Sequence, residues 1–300
     1  MRAITHSNKT YIHEMTVSEF AKVAELSPPS EHNLEESKTY QPSVEETRKR
    51  SPTLDRGGKW FGGLKSTKHA TDILLNGWEK GANKLSDMRK TLADSIPAPR
   101  AIRRRPQWRD DGHTLDVDRA LSGQWDIAYR DSRRELGAGV QVLNLMGSFG
   151  GNCNRSAEEL FWSGAAGVVL CDLLEEAGYQ VNFSATFYSR ARSNGSVLGV
   201  HRVLVKEAGD PMRLDAVAAV CCHAGIFRTL GFRSILSCPW DVGNGLGYQE
   251  IASRCTEQLK ACGEFEEGSA ILEPCFGRDS AIREIKRVLK LVNPEDTNVR

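Results

Sequence analysis

The sequence predicts an α/β domain in which a mostly parallel sheet carries helices on both faces. Residues 140–146 form an apolar run typical of a buried strand, and residues 180–188 form a second such run after Gly178. Between them, residues 156–177 repeat apolar side chains at helical spacing. A strand, a crossover helix and a second strand of this size make a βαβ unit, whose strands are nearly always parallel with a right-handed connection.

The helix of this unit has a defined start. Ser156 is predicted as its N-cap, and Glu159 three residues later completes a capping box. A glycine-rich loop, residues 147–154, joins the first strand to this helix. The apolar stripe of the helix consists of Leu160, Phe161, Ala165, Val168, Val169, Leu173 and Leu174.

Further elements extend the pattern after this unit. Residues 197–205 alternate like a strand, and only a short polar turn separates them from the preceding strand, so we expect this pair to be antiparallel. An apolar helix then opens at Asp215. The last elements are a strand over 234–238, a helix over 248–262, a strand over 270–273 and a helix over 280–292. The predicted order is β-α-β-β-α-β-α-β-α.

Three regions are predicted along the chain. Residues 1–57 carry few large apolar side chains and are rich in Glu, Lys, Ser and Pro, so we expect a mostly disordered N-terminal arm with at most a short helix over 16–26. Residues 58–96 are predicted to form a small helical hairpin, too small to be stable alone. Residues 97–300 hold the α/β domain, onto which or onto another subunit the hairpin should dock.

Composition indicates a globular protein of a reducing compartment. No run reaches the roughly 20 apolar residues that a membrane helix needs, and the N-terminus lacks a signal-peptide core, so we expect a cytoplasmic protein with no membrane partner. All 8 cysteines lie between Cys153 and Cys275, mostly inside apolar segments, which favours buried free thiols. A formal net charge of +1 provides no global field toward nucleic acid.

This order of elements, with its antiparallel third strand, resembles the von Willebrand factor A fold, a Rossmann-like sheet with helices on both faces. The resemblance covers roughly residues 109–293 and rests on element order. Several motifs also resemble a prokaryotic and phage-borne family of unknown function that contains such a domain. They are Trp60-Phe-Gly-Gly63, Gly77-Trp-Glu-Lys-Gly81, Trp162-Ser-Gly-Ala-Ala166, the run over 173–181, Pro211-Met-Arg-Leu-Asp215 and His223-Ala-Gly-Ile-Phe-Arg228. This narrower resemblance implies no activity.

The resemblance to von Willebrand factor A domains implies where a metal would lie. Such domains often bind Mg²⁺ through Asp-x-Ser-x-Ser after the first strand, with a Thr and an Asp from later loops. Here Asn144 replaces the leading carboxylate, Met146 replaces the first serine and Ser148 is retained, while Asp241 lies where the last carboxylate would be and Asp210 near the missing threonine. This set is poor in the charged oxygens that a hard cation prefers. We therefore predict a degenerate site at Asn144, Ser148 and Asp241, weak Mg²⁺ binding at most, and no other cofactor.

Two loops are candidates for ligand binding. The loop over 147–154 joins a strand to a helix N-terminus, where Ser148, Gly150, Gly151 and Asn152 could bind phosphate. The alternative is that its glycines serve only a tight βα turn, because the loop matches neither Gly-x-Gly-x-x-Gly nor a P-loop. Trp240 opens a second glycine-rich loop at the carboxyl end of the predicted fourth strand, where α/β proteins bind ligands.

Two further constellations have a functional and a structural interpretation. The basic segment Arg100–Arg109 could contact nucleic-acid phosphates, or it could be a solvated linker paired with nearby acidic residues. Cys222 and His223 are adjacent on an apolar helix and point about 100° apart, so a core role is favoured over a nucleophilic pair. The sequence thus predicts a non-enzymatic protein-interaction or structural domain with a protein partner. The alternatives are action on a phosphate-bearing ligand at 147–154 and nucleic-acid attachment through Arg100–Arg109.

Overall fold

The computed structural model describes residues 1–7, 9–34, 43–50, 53, 60–93, 107–109, 114–131, 142–150, 155–191, 197–242, 246–247 and 250–292. Within them the chain is an α/β protein built on a six-stranded mixed sheet. The strands of this sheet are β1 (Arg2–Thr5), β2 (Thr10–Thr16), β6 (Val142–Ser148), β7 (Gln180–Arg190), β8 (Leu198–Lys206) and β9 (Ser269–Leu272). Three short strands, β3 (Gln107–Arg109), β4 (Thr114–Leu115) and β5 (Tyr129–Asp131), form a separate small sheet in the order β3-β5-β4.

The central strands pair as the sequence predicts. The six strands lie in the order β1-β2-β8-β7-β6-β9. Strand β6 is parallel to both β7 and β9, and β8 is antiparallel to β7 with a register shift at Phe183/Ser184. The predicted βαβ unit and the antiparallel hairpin that follows it are therefore confirmed.

The N-terminal segment corrects the prediction of a disordered arm. Strand β2 pairs in parallel with β8 along its whole length, and β1 covers the far edge of β2. The prediction is therefore wrong for residues 1–7 and 9–34. The prediction of disorder fails because composition counts only the apolar side chains within the segment itself. The polar groups of this segment find their partners far along the chain, as Glu14 does on Arg202.

The helices surround this sheet. The central one, α7 (Ala157–Glu176), begins after Ser156. The Ser156 hydroxyl accepts a hydrogen bond from the Glu159 amide at 3.2 Å and Glu159 accepts from the Ser156 amide at 2.7 Å, so the predicted capping box is confirmed. The α-helices are α1 (Val17–Ala21), α2 (Val23–Leu26), α3 (Val44–Arg50), α4 (Thr67–Asn76), α5 (Glu79–Ala93), α6 (Val117–Leu121), α7 (Ala157–Glu176), α8 (Leu214–Val217), α9 (Ala224–Ile226), α10 (Phe232–Leu236), α11 (Ala252–Ala261) and α12 (Arg278–Val292).

The predicted strand over 234–238 is wrong, because these residues belong to α10 and the turn after it. They end a buried helical stretch in which α8, α9 and α10 are linked by two wide π-helical turns, Ala218–Cys222 and Phe227–Gly231. A short apolar run such as Ser-Ile-Leu-Ser-Cys has no period that separates a strand from a buried helix turn. The sheet instead continues beyond β8 with β2, so residues 234–238 are not one of its strands.

The two faces of the sheet are covered unequally. On one face, α7, the helical stretch over 214–236 and the N-terminal helices build the large core around side chains such as Phe183, Phe187 and Leu145. On the other face α11 covers a smaller cluster that includes Ile12, Met146, Tyr188 and Ile271 together with its own Cys255 and Leu259. In the described residues no helix covers another part of this second face, which forms the cleft described below.

The predicted helical hairpin is present as α4 and α5. Ser66 caps α4 by accepting from the His69 amide at 3.0 Å, and Gly77 ends it with a positive φ. Helix α5 packs on α7 and on α8, which docks the pair onto the sheet layer.

No single helix of the described residues is long and apolar enough to cross a membrane. One pair of segments, Leu214–Cys222 and Ala224–Leu236, bent by 55°, has the length and composition of a membrane span, and length and composition are the only criteria that it meets.

Candidate functional site

A polar cleft of about 560 Å³ lies on the part of the second sheet face that α11 leaves open. Side chains of alternate residues on neighbouring strands form its floor, because residues two apart on a strand share a face. Asn144, Asn182, Ser184 and Arg202 line it from β6, β7 and β8. The volume is in the range of pockets that hold a small molecule or a few residues of a peptide. We call this site the sheet cleft.

One end of the sheet cleft is held by a chain of ion pairs. Glu14 accepts from Arg202 Nη1 at 2.7 Å through one oxygen and from Arg2 Nη1 at 3.0 Å through the other. Arg2 also bonds Glu264, at 3.0 Å between Nη1 and Oε2, and Glu264 lies 3.3 Å from His6 Nε2. The hydrogen bond from Arg2 is the largest influence that lowers the pKa of Glu264, and Glu264 and Glu14 in turn raise the pKa of Arg2.

The other end of the sheet cleft is built from amides. Asn144 accepts from Asn182 Nδ2 at 2.8 Å and donates to Glu266 Oε2 at 2.7 Å. Asn182 Oδ1 accepts from the Ala208 amide at 2.7 Å. Both hydrogen-bonding groups of each amide are therefore engaged, which fixes their orientation.

Arg202 has donors that nothing in the described chain satisfies. Its Nη1 is used on Glu14, whereas Nε and Nη2 are buried and have no hydrogen-bond partner among the described residues. Nε and Nη2 lie on the same side of the planar guanidinium and form the edge that binds a carboxylate through two parallel hydrogen bonds. Buried polar groups are nearly always paired, and an unpaired charged donor is costly. The residue that carries this buried edge, Arg202, lines the cleft.

The cleft is acidic overall. Glu14, Glu19, Glu207, Glu264 and Glu266 line it, against the side chains of Arg2 and Arg202. Glu14 and Glu264 are neutralised by the ion pairs above, whereas in the described chain neither Glu207 nor Glu266 forms an ion pair. The unpaired negative charge therefore lies at the amide end, because Glu266 bonds Asn144 and Glu207 directly precedes Ala208, which bonds Asn182.

The glycine-rich loop predicted to bind phosphate is only partly described. Ser148 is buried at the end of β6, and its Oγ has no hydrogen-bond partner in the described chain. Gly150 has φ +117°, and a Cβ there would lie 2.6 Å from Phe227 Cζ, so both conformation and packing require glycine. Gly151 and Asn152 lie outside the described residues. What is described of this loop fits the interpretation of a tight βα turn.

The structure does not bring together the predicted metal ligands. Asn144 and Ser148 lie on one face of the extended strand β6, four residues and so about 13 Å apart. An Asp-x-Ser-x-Ser site needs the chain to curl around the ion, whereas β6 stays paired with β7 as far as Ser148. Asp241 is a partly buried residue after α10 and takes part in a polar interaction of its own. No group of three His, Cys, Asp or Glu side chains in the described chain could hold a metal ion.

Trp240 is fixed by the N-terminal segment. Its ring meets Tyr11 edge-on at 5.9 Å between centroids, and its carbonyl accepts from Asn33 Nδ2 at 2.8 Å. The same amide nitrogen also lies 3.2 Å from the Leu236 carbonyl and 3.1 Å from that of Cys238, and Asn33 Oδ1 accepts from the Val242 amide at 3.0 Å. This segment is therefore held rigidly at Trp240, and nothing of residues 243–245 is described.

Beneath this segment lies a buried polar network. Cys238 Sγ is 3.3 Å from His201 Nε2 and 3.0 Å from Ser189 Oγ, and His201 Nδ1 is 2.9 Å from Ser234 Oγ. Such spacing is that of a thiol beside a general base. Burial, however, raises the pKa of Cys238 to about 12 and lowers the pKa of His201, so both groups are neutral. Both side chains are fully buried, which closes the pair to substrates.

The network continues to a second histidine. His13 Nδ1 lies 3.2 Å from Ser234 Oγ, and Nε2 lies 3.2 Å from Ser27 Oγ. Ser237 also approaches Nδ1, at 3.4 Å. Burial lowers the pKa of His13 to about 4. Because hydroxyl groups can donate or accept, they satisfy both neutral rings, and the network serves the core.

The comparison with family models decides where this chain belongs. The model of a domain of unknown function, DUF7192, matches residues 9–295. The chain is a member of the DUF7192 family. The sequence-based prediction of a family of unknown function is confirmed in that coarse form. No curated protein and no solved structure matches the chain.

In this DUF7192 protein three of the motifs behind the narrower resemblance, those over 60–63, 77–81 and 223–228, contact one another. Arg228 stacks 4.0 Å from the Trp60 ring and donates to the Trp60 carbonyl at 2.7 Å. Trp78 packs 4.3 Å from His223 between ring centroids. A Cβ on Gly225 would lie 2.1 Å from the Phe61 carbonyl oxygen, so only glycine fits there. These contacts fasten the helical hairpin to the domain.

Sequence reasoning missed the residues of the sheet cleft. Arg2 and Glu14 lie in the segment predicted to be disordered, and Glu264 lies in the turn after α11. The alternation Tyr11, His13, Met15 against Ile12, Glu14 was the available signal for β2. The basic segment Arg100–Arg109 is described only at Gln107–Arg109, which forms β3, so its proposed phosphate contacts lie outside the described residues.

Proposed function

We propose that this DUF7192 chain is a non-enzymatic recognition domain that receives a segment of a partner protein in the sheet cleft. The observation that carries the proposal is the unpaired Nε and Nη2 edge of Arg202, a residue that lines the cleft. A cleft lined by a residue with an unpaired donor edge is suited to recognition by a complementary group.

The chemistry elsewhere supports recognition over catalysis. A general base or nucleophile must lie within reach of a bound substrate. His13, His201 and Cys238 are buried in a network that turns away from solvent, and burial holds all three in their neutral forms. The acidic lining of the cleft also disfavours a phosphate-bearing ligand there.

The finer parts of the sequence-based prediction belong to this proposal. The antiparallel β8 beside β7 supports a von Willebrand factor A-like core, to which β1 and β2 are added at one edge. The phage or prokaryotic character of the family and a cytoplasmic location stay predictions. Weak Mg²⁺ binding also stays a prediction, which calorimetry with Mg²⁺ on the natural chain and on Asp241→Ala tests.

The proposal is tested by selecting a random-sequence peptide library against the protein and measuring the selected peptides by calorimetry. Ser184→Phe fills the cleft floor, since Ser184 lines it. Ser253→Phe places the same ring on the exposed side of α11 as a control. We expect Ser184→Phe to weaken binding by about ten-fold or more, that is, by about 1.4 kcal/mol. If the selected peptides bind Ser184→Phe as tightly as the natural chain, the proposal is contradicted.

A further inference from the structure

We propose that the occupant of the sheet cleft carries both a carboxylate and a cationic group, as a peptide segment with one acidic and one basic side chain does. The inference rests on the proposed function and names the chemistry of its ligand. The carboxylate binds the Nε and Nη2 edge of Arg202, and the cationic group lies at the amide end beside Glu207 and Glu266.

The carboxylate follows from the geometry of Arg202. Glu14 fixes the guanidinium through Nη1, so the remaining edge has a defined direction before any ligand arrives. Two parallel N–H groups match the two oxygens of a carboxylate better than a single carbonyl or hydroxyl oxygen. The described chain supplies this edge with no acceptor of its own.

Binding requires a small displacement, because neither donor atom reaches solvent in the unbound chain. Arg2 is suited to move. It bonds the same Glu14 carboxylate as Arg202, its side chain is nearly half exposed, and it lies on the short edge strand β1. Side-chain movement of this kind on binding is common, whereas backbone movement is less so.

The cationic group follows from the charge of the cleft. Five glutamates and two arginines line it, and Glu207 and Glu266 have no ion-pair partner in the described chain. A ligand with only negative charge would be repelled at this end, and like-charge contacts of this kind oppose wrong partners. The same argument disfavours phosphate and nucleic acid as occupants.

The two ends are separated by a distance that a short peptide spans. Arg202 is in register with Thr186 on β7, and Asn182 at the amide end is four residues along the same strand, about 13 Å away. In an extended peptide, side chains two residues apart point to the same side with about 7 Å between their Cα atoms. The reach of an aspartate and a lysine side chain covers the rest.

Three tripeptides test the inference on the full chain by calorimetry and chemical-shift perturbation. Acetyl-Asp-Gly-Lys-amide carries both charges, the Asn-Gly-Lys analogue lacks the carboxylate, and the Asp-Gly-Gln analogue lacks the ammonium. We expect each single loss to weaken binding about ten-fold, since hydrogen bonds to charged groups are among the stronger ones. No binding of the doubly charged peptide at about 10 mM would overturn the inference.

Variants assign each charge to its end of the cleft. Arg202→Lys keeps a cation beside Glu14 but lacks the two parallel N–H donors of the guanidinium. This variant should therefore bind the Asn-Gly-Lys peptide as well as the doubly charged peptide, and should still bind the Asp-Gly-Gln peptide more weakly. The double variant Glu207→Gln with Glu266→Gln should bind the Asp-Gly-Gln peptide as well as the doubly charged peptide, and should still bind the Asn-Gly-Lys peptide more weakly. The control is Arg213→Lys, at an exposed ion pair outside the cleft. Circular dichroism confirms folding of each variant.

The outcomes separate this inference from the proposed function. If library peptides depend on Ser184 but all three tripeptides bind alike, the ligand chemistry is overturned and the recognition site stands. If 6-aminohexanoate binds as tightly as acetyl-Asp-Gly-Lys-amide, a small zwitterion replaces the peptide as occupant and the peptide assignment is overturned. Equal discrimination by Arg202→Lys and the natural chain would also overturn the carboxylate contact.

Discussion

At the scale of the residue, Asn33 shows how one buried side chain orders a segment whose composition indicates disorder. Its amide nitrogen lies within hydrogen-bond distance of the carbonyls of Leu236, Cys238 and Trp240, and its oxygen accepts from Val242. These carbonyls follow a helix end, where backbone groups lack helical partners. Asn33 therefore closes α10 from a distance of about two hundred residues in sequence.

Buried neutral histidines also make the fold sensitive to acid. Burial lowers the pKa of His223 to about 4, whereas in the unfolded chain a histidine has a pKa of about 6.5. Below pH 6.5 the unfolded chain therefore binds a proton that the folded chain does not bind until about pH 4. The free energy of unfolding must fall as the pH falls through this window, and His13 contributes in the same direction.

We predict that His223→Asn reduces this pH dependence. Between pH 7 and pH 5 the natural chain should lose about 2 kcal/mol of unfolding free energy through His223 alone, and the variant should lack that share. Urea unfolding at both pH values measures the difference. His32→Asn, at an exposed position, controls for the substitution itself. An unchanged difference between pH 7 and pH 5 in His223→Asn would show that the pKa of His223 is the same in the folded chain as in the unfolded one.

At the scale of the element, α7 shows what a sequence pattern can predict. Its capping box and its length are local properties, and the structure confirms them. The predicted single apolar stripe is wrong, because α7 is buried on nearly every side over 160–174, with α5, α12 and the 218–222 turn covering it away from the sheet. The end of the helical stretch over 214–236 is wrongly predicted as a strand. Its π-helical turns and the break at His223 follow from its packing around Phe61 and Trp78, and the local periodicity of the sequence carries no information on such packing.

The glycines of α7 are part of its packing. A Cβ on Gly167 would lie 2.5 Å from Phe183 Cζ, and Phe183 is fully buried in β7. Gly164 is similarly placed against Cys222 Sγ, at 2.1 Å. Glycine is unfavourable inside a helix by about 1 kcal/mol relative to alanine, so these positions sacrifice helix propensity for close contact with the sheet and the next helix.

We predict that Gly167→Ala destabilises the protein by about 1–2 kcal/mol, although alanine favours the helix. Overpacking against a ring that cannot move costs up to about 3 kcal/mol, which exceeds the propensity gain of about 1 kcal/mol. Thermal or urea unfolding measures the sign. Gly277→Ala, where a Cβ meets nothing within 4 Å, is free of overpacking and should cost only the difference between glycine and alanine at the start of α12, less than about 1 kcal/mol. A more stable Gly167→Ala would mean that α7 lies farther from β7 than the structure places it.

At the scale of the whole molecule, the sequence predicts the βαβ unit, the antiparallel β8 and the closing β9 and α12, because each has a local apolar pattern. It does not predict β2, whose Thr, His and Glu side chains look solvated. These side chains are paired only once β8 and the 234–238 segment lie beside them. The sheet cleft was missed for the same reason, since Arg2, Glu14, Arg202 and Glu264 meet only through the sheet order.

The dependence of the sheet on its N-terminal strands gives the last prediction. Strand β2 pairs with β8 over seven residues and buries Ile12 in the smaller cluster and Met15 in the large core. Deleting residues 1–34 would expose the long edge of β8 and remove Asn33 from α10, and an exposed apolar edge strand promotes aggregation. We therefore expect the deleted chain to be insoluble on expression.

Supplying the missing segment in trans should restore folding. Co-expression of a peptide of residues 1–34 with the chain starting at residue 35 should recover soluble protein, because the segment contributes its contacts without needing the connection. The same peptide with Ile12→Asp is the control. It would place a charge at a fully buried position, which costs several kcal/mol, so it should not rescue. A soluble chain of residues 35–300 that unfolds cooperatively on its own would show that β1 and β2 are dispensable additions to a sheet complete at β8.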